Sequence, residues 1–502
     1  MTTHEIMVGR ASRHGPIAVA PDEFRRAGHA LVDTIADFLQ SLPDRPLTTE
    51  SSPAALRSLL DAERPLPDDG VAMEPLLAST AQLLFEHSLF NGHPRFFGYI
   101  TSSPAPIGML ADFLAAAVNP NVGARQLSPM ATEIETQAVR WVAELIGYPT
   151  PTGGLFVSGG NMANIVGLFA ARAAMAGWDV RAEGVAAASA RTLKVYATHE
   201  THTWLQKATD LSGLGTASIR WIPTDDSQRL DPRALRRAID QDRAEGAVPM
   251  MVVGTAGTVS TGAVDPLGEI ADICRDAGIW FHVDGAYGAL ASAVPGTARD
   301  LQHLSQADSV AVDPHKWLYM PMEAGCVLVR DAEALRNSFA YHPPYYHFGE
   351  PALNYVDYGP QNSRGFRALK VWLALQQAGR RGYVEMMAGD IRLSQRFHHL
   401  VGQHPELEAL TQQLSINTFR YVPPELRDRR ADADTAEYLN ALNQKLLDRI
   451  QLSGEAFVSN AVIDGQYLLR ACIVNFNTTE ADIDAMPEFV ARLGREVHAA
   501  SR

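Results

Sequence analysis

The chain has 502 residues, 46% hydrophobic and 20% charged, with a formal net charge of −14. That is ordinary globular composition, long enough for two or three domains, and its acidity argues against non-specific binding to nucleic acid or anionic lipid. Only three cysteines occur, Cys274, Cys326 and Cys472, too widely spaced for a disulfide framework or a zinc site, which fits a reducing compartment.

The segment Met1–Phe24 holds no apolar core of signal-peptide length, and no run approaches the roughly 20 apolar residues of a membrane span. A soluble, cytoplasmic protein is expected. Leu31, Ile35, Phe38 and Leu39 share one face of a predicted helix over Phe24–Leu42. Pro43–Asp69, rich in proline, serine and charge, reads as a tether with short helices. Ser128 as cap and Pro129 in the first turn predict a helix running to Gly147. Ile134, Ala138, Trp141 or Val142, and Leu145 line its apolar face.

After Gly154, short runs rich in Val and Ile alternate with helical stretches such as Pro266–Ala277. The predicted strands are Leu193–Thr198, Ile219–Pro223, Met250–Gly254, Trp280–Asp284, Ser309–Asp313 and Gly325–Arg330. This is the pattern of an α/β fold with a mainly parallel sheet covered on both faces. Ligands in such sheets bind at the carboxyl ends of the strands. Beyond Arg380, amphipathic helices and weaker strands, Gln413–Phe419 and Tyr467–Asn475, predict a small α+β domain.

Four motifs fall at predicted strand ends or helix starts. Lys316 lies in Val312–Pro321, VDPHKWLYMP. Alone it reads as a surface lysine; in a partly desolvated place its pKa falls, and the neutral amine can form a Schiff base with a carbonyl. Asp284 ends the run Trp280-Phe281-His282-Val283-Asp284. It reads as a helix cap, or as a buried carboxylate that keeps a pyridinium nitrogen protonated, with Ala286 leaving room for a flat ring.

Ser158-Gly159-Gly160-Asn161-Met162 precedes a helical run. It is a glycine turn, or a phosphate site made of helix-start amides, and it matches neither a P-loop nor GxGxxG. His202 follows a strand and reads as a loop histidine or as an imidazole stacked on a planar cofactor. With His199 it suggests a metal only weakly, since no HExxH or third ligand is near; no metal is expected. Taken together, the four describe a site for pyridoxal 5'-phosphate (PLP) and little else.

On these motifs the chain resembles the group II PLP-dependent decarboxylases, the family of aromatic-L-amino-acid, glutamate and histidine decarboxylases. The likeness runs from about Phe24 to Asn475; HKW and HVDGAY are its most specific blocks, and SGGNMAN is a moderately specific one. His93–Tyr99 (HPRFFGY) and Ser363–Trp372 (SRGFRALKVW) resemble segments of the aromatic amino acid decarboxylase branch. The resemblance implies the type I PLP-dependent, aspartate aminotransferase-like fold, as a homodimer with intertwined N-terminal arms. Three segments are then expected: an N-terminal helical arm over 1–104, a large PLP-binding domain over 105–376, and a small C-terminal α+β domain over 377–502.

The implied activity is decarboxylation of an aromatic L-amino acid to its amine and CO2. Carried over residue by residue, Lys316 binds the cofactor covalently, Asp284 pairs with the ring nitrogen, and His202 stacks on the ring and orients the substrate carboxylate. Thr255 lines the cofactor. Gly160, Asn161 and Met162 hold the phosphate, aided by Asp313 and His315, while Tyr99 and Ser102 lie at the substrate side. Tyr341–Gly349 takes the place of the family's mobile catalytic loop, and Tyr345 aligns with its catalytic tyrosine, with Tyr346 as the neighbouring alternative.

The chain departs from the family in places. Gly160 and Met162 stand where animal members carry serines, and Asp313 where they carry asparagine, so Asp313 is expected to turn to a donor or lie away from the phosphate. Asn121 and Gly123 stand where aromatic-specific relatives place larger apolar groups, which either weakens aromatic selectivity or leaves room for a bulky ring. Rival readings are an aldehyde synthase that couples decarboxylation to oxidative deamination, a decarboxylase of a non-aromatic amino acid, an aminotransferase or other lyase of the same fold, and a non-catalytic PLP-binding protein.

Overall fold

The computed structural model describes residues 15, 17–49, 51–187, 192–342 and 353–501. Contacts divide the chain into two compact units, residues 1–90 with 452–455, and residues 91–451 with 456–502. The first unit holds α1 (Pro21–Ser41), α2 (Pro53–Leu59) and α3 (Met73–His87). α1 starts three residues before the expected point because Pro21 suits the first helical position. Its predicted apolar face is the half-buried one, comprising Leu31, Ile35, Phe38 and Leu39. Phe38 stacks on Phe85 at 4.0 Å between ring centroids and meets Phe90 edge-on at 5.2 Å.

The second unit opens with α4 (Pro106–Val118) and α5 (Pro129–Ile146). Ser128 precedes α5 but does not cap it with its side chain. Its hydroxyl donates instead to the Asn121 carbonyl at 2.8 Å, a tertiary bond that sequence spacing cannot show. Then come β1 (Gly153–Val157), α6 (Gly160–Met175), β2 (Leu193–Ala197), β3 (Ile219–Trp221), β4 (Val248–Thr255), β5 (Trp280–Asp284), β6 (Ser309–Val312) and β7 (Gly325–Val329). The sheet order is β1-β7-β6-β5-β4-β2-β3. β7 runs antiparallel to β1 and β6; the other pairs are parallel.

Both faces of this sheet are buried, which explains the near-continuous apolar strands. Val252, Phe281, Val283, Val310 and Val312 feed one core layer. Met251, Val253, Trp280, Ala311 and Val327 feed the other, with the period of two that strands impose.

A second, wholly antiparallel sheet has the order β10-β11-β9-β8. Its strands are β8 (Leu407–Gln413), β9 (Ile416–Tyr421), β10 (Ser459–Ile463) and β11 (Gln466–Cys472). The expected strand Gln413–Phe419 forms as β9 from Ile416 onward, but its first residues belong to the end of β8 and to the Leu414–Ser415 turn of the β8–β9 hairpin. The turn carries no glycine or proline to announce it. Leu414 takes φ 50° there and is buried, so its apolar character mimicked strand continuation.

The helix Ala368–Gln403 packs against α4, α5 and β8. Gly379, at φ 64° and ψ 172°, breaks this stretch into two helices close to the expected 376/377 boundary, and both sheets belong to one unit. Among the described residues, no helix is long and apolar enough to cross a membrane.

Candidate active site

Three parallel strands end side by side. Thr255 of β4 pairs in register with Asp284 of β5, and Asp284 with Ala311 of β6. Asp284 is buried, its Oδ2 accepting from Trp204 Nε1 at 2.8 Å and its Oδ1 from the Ala286 amide at 3.2 Å. The Asp313 amide donates to the Ala286 carbonyl at 3.1 Å, which ties the turns after β5 and β6 together. Lys316 follows in that second turn, its amide donating to the Asp313 carbonyl at 2.9 Å. Its Nζ stands 3.2 Å from Asp313 Oδ2, and the side chain is 21% exposed, neither free in water nor sealed.

The start of α6 closes on the same place. It has no side-chain cap, so the amides of its first turn keep their donors and the positive end of the helix dipole stays open. A Cβ on Gly160 would stand 2.5 Å from Asp313 Oδ2 and 2.9 Å from Ala286 Cβ. One on Gly159 would stand 3.0 Å from His315 Cε1. Glycine is needed here for close approach, and no serine would fit at 160. Asn161 is exposed and Met162 half-buried beside it.

His315 Nδ1 accepts from the Ala324 amide at 3.1 Å, so the ring hydrogen sits on Nε2, 3.5 Å from Asp313 Oδ2. Burial holds its pKa below the ordinary value. Asp313 therefore turns to two donors, Lys316 and His315, while lying directly beside the start of α6. Its Oδ1 is buried without a partner among the described residues, as is the Thr255 hydroxyl. The Thr255 amide donates to Asp265 Oδ2 at 2.7 Å. Asp265 also accepts from the Leu230 amide, and burial pushes its carboxyl up to about 6.

His202 is exposed in this chain, but its Nδ1 accepts from the Trp204 amide at 3.2 Å, which leaves the hydrogen on Nε2. The protein packed behind the ring lowers its pKa. His199 stacks on Trp221 at 4.4 Å. Ser102 is buried and gives its hydroxyl to the His315 carbonyl at 2.8 Å. Tyr99 is exposed at φ 51°, and its carbonyl accepts from Arg470. Tyr345 and Tyr346 lie outside the described residues.

Asn121 and Gly123 are built into the local backbone. Asn121 Oδ1 accepts from the Gly123 and Arg364 amides, each at 3.1 Å, and a Cβ on Gly123 would collide with the Asn362 carbonyl. Sequence reasoning missed Trp204, whose only signal is an indole N–H two residues after His202. It also missed Asp265, which the following helix disguised as a helix-start residue.

The residues present fit PLP: an uncapped helix start for a phosphate, a buried carboxylate for a ring nitrogen, an amine for an aldehyde, and two buried oxygens in want of a partner. Residues 53–422 match the pyridoxal-dependent decarboxylase conserved domain. The chain belongs to this family. The decarboxylase is 32% identical to an aromatic-L-amino-acid decarboxylase of Bacillus atrophaeus, over 96% of this chain and 97% of that one. It is 30% identical to a phenylacetaldehyde synthase of Petunia hybrida, over 90% of each. The crystal structure of Oryza sativa TDC with PLP and tryptamine superposes with a TM-score of 0.88 at 28% identity, covering 96% of this chain and 99% of that one. The chain is thus a carboxy-lyase with the type I PLP fold, and its cofactor is PLP.

Proposed function

We propose that the enzyme decarboxylates an aromatic L-amino acid to the amine and CO2, working as a cytoplasmic homodimer. The supporting observation is the meeting of Lys316, Asp313, Ala286 and the start of α6 at the ends of β5 and β6, beside Asp284. Similarity to enzymes named for aromatic substrates supports the substrate class.

Bound PLP supplies an electron sink for the pair released when the Cα–carboxylate bond breaks. Lys316 holds the cofactor through Nζ. Asp284, fixed by Trp204 and Ala286, keeps a proton on the ring nitrogen. The amides of Gly160, Asn161 and Met162 hold the phosphate. His202, a neutral imidazole, would pack against the bound cofactor and offer Nε2–H to the substrate carboxylate. Tyr345 delivers the proton that Cα needs.

A second reading, aldehyde synthase, draws support from the phenylacetaldehyde synthases at 30% identity. The test is a screen of the twenty amino acids and dihydroxyphenylalanine for CO2, with amine, ammonia and hydrogen peroxide measured alongside. Amine without peroxide, from aromatic substrates, is expected. Stoichiometric peroxide and ammonia would replace this reading with the second. Tyr345→Phe should shift product from amine towards aldehyde. Lys316→Ala should abolish turnover and borohydride-fixed cofactor. Light scattering should give twice the chain mass.

A further inference from the structure

We propose that Asp390 is a positioning residue for Lys316, acting through the side chains of Trp317 and Tyr319. The inference rests on Lys316 being the cofactor lysine. Asp390 lies on the helix Ala368–Gln403 and is 3% exposed. Its Oδ2 accepts from Trp317 Nε1 at 2.8 Å and from Tyr319 Oη at 2.7 Å. The Asn475 amide is a further donor to the same carboxyl. Two of these donors follow Lys316 by one and three residues.

The turn at Lys316 needs holding. Tyr319 takes φ 56°, a region a β-carbon disfavours, and its amide donates to the Lys316 carbonyl at 3.2 Å. Trp317 is fully buried and stacks on Tyr287 at 4.8 Å with 14° between the ring planes. Tyr287 comes three residues after Asp284, and its Oη meets the Ser415 hydroxyl at 2.7 Å and the Ser415 amide at 2.9 Å. Asp390 thereby anchors the lysine turn against the segment that carries Asp284. A buried carboxyl is a costly way to fill space. Burial pushes this one up to about 7, although Tyr319, Trp317 and the Asn475 amide all draw it down. What it supplies that a leucine would not is direction: one oxygen fixes two side chains, and so the backbone from which Lys316 projects.

The experiment compares Trp317→Phe, Asp390→Asn and the double variant in the full-length enzyme. Trp317→Phe keeps an aromatic ring beside Tyr287 and removes the donor together with part of a buried ring; Asp390→Asn keeps the shape. The readouts are melting temperature, PLP affinity of the apoenzyme by fluorescence titration, and kcat and KM. Each single variant should weaken PLP affinity about 10-fold, on the order of one buried hydrogen bond. Each should lower kcat with KM within about twofold, and the double variant should be little worse than the poorer single one. A lower melting temperature with unchanged PLP affinity and kcat would reduce Asp390 to packing and overturn the proposal. Borohydride labelling of the unmodified enzyme separates the two readings. Label on another lysine overturns the role of Lys316 and this proposal with it. Label on Lys316 with unaffected variants overturns this proposal alone.

Discussion

Trp204 Nε1 donates to Asp284 Oδ2 at 2.8 Å, and both side chains are buried. The amide of the same tryptophan donates to His202 Nδ1. One residue therefore orients the carboxylate with its side chain and sets the imidazole tautomer with its backbone. Trp204→Phe keeps an aromatic ring towards His282 and deletes the indole donor together with part of a buried ring. It should cost about 1–3 kcal/mol in urea unfolding, the usual cost of stranding a buried acceptor. PLP affinity of the apoenzyme should fall roughly tenfold, while the His202 tautomer, fixed by the backbone, is unchanged in its ring NMR shifts.

Gly160→Ala tests the cradle. The new methyl must enter a space bounded by Asp313 Oδ2 and Ala286 Cβ, both within 3.0 Å of its required position. Ala286 is short and held by its backbone, so the start of α6 has to move. Fold should survive, because alanine favours the helix that begins here. PLP affinity should drop by about 100-fold or more, since the amides that hold a phosphate lose their placement. Near-native melting of the apoenzyme with lost PLP binding is the expected pair of results; unchanged binding would move the phosphate elsewhere.

Much of this arrangement can be read in the chain because each element is locally consistent. The run Trp280–Asp284 is apolar up to its last residue, so strand and carboxylate are seen together, and the strand forms with those ends. Lys316 is flanked by two apolar runs that become β6 and β7. Three other features are tertiary and leave little local trace. Trp204 meets Asp284 across 80 positions, Asp390 meets Trp317 across 73, and the turn at Leu414 is stabilised by burial where turn residues are lacking. Asp313 is legible as a carboxylate in need of a donor, but its particular donors are not. That it pairs with Lys316 and His315 depends on how the turn folds back, which spacing does not give.

Arg364 and Glu135 form a buried ion pair, with Arg364 Nη1 and Glu135 Oε2 3.2 Å apart. Both side chains are almost wholly buried. Glu135 also accepts from the Phe156 amide, and Arg364 donates to the Phe156 and Val122 carbonyls. The pair thus joins α5 to β1, the strand that leads into the phosphate cradle. Arg364→Met leaves an unpaired carboxylate in the core and should cost about 3–5 kcal/mol. Pairing it with Glu135→Gln should recover part of that loss, because the stranded charge is gone. Chemical denaturation of the two single variants and the double variant measures this directly.

His282 ties the cradle helix to the strand that bears Asp284. It is fully buried, with Nε2 2.7 Å from Asn164 Oδ1 on α6 and Nδ1 2.7 Å from Ser309 Oγ on β6. Trp280 Nε1 donates to the same Ser309 oxygen, so the serine hydrogen turns to Nδ1 and Nε2–H turns to Asn164. A second ring proton has no acceptor, and burial lowers the pKa to about 4. The unfolded chain takes up that proton near 6.5. Between those values the unfolded state binds more protons, so this histidine's contribution is present above about 6.5 and is lost as pH falls towards 4. The loss amounts to about 3 kcal/mol between pH 7 and pH 4. Asp265 and Asp390, raised by burial to about 6 and about 7, act in the opposite sense, so the raw slope of stability with pH is not the measurement to make. His282→Gln keeps a polar side chain there and cannot titrate. Urea unfolding of both proteins at pH 7, 5.5 and 4 should show the unmodified enzyme's advantage over the variant shrinking by about 3 kcal/mol on acidification. An advantage that stays constant would mean that His282 takes up its second proton in the folded enzyme as readily as in the unfolded chain, against the hydrogen-bond pattern described.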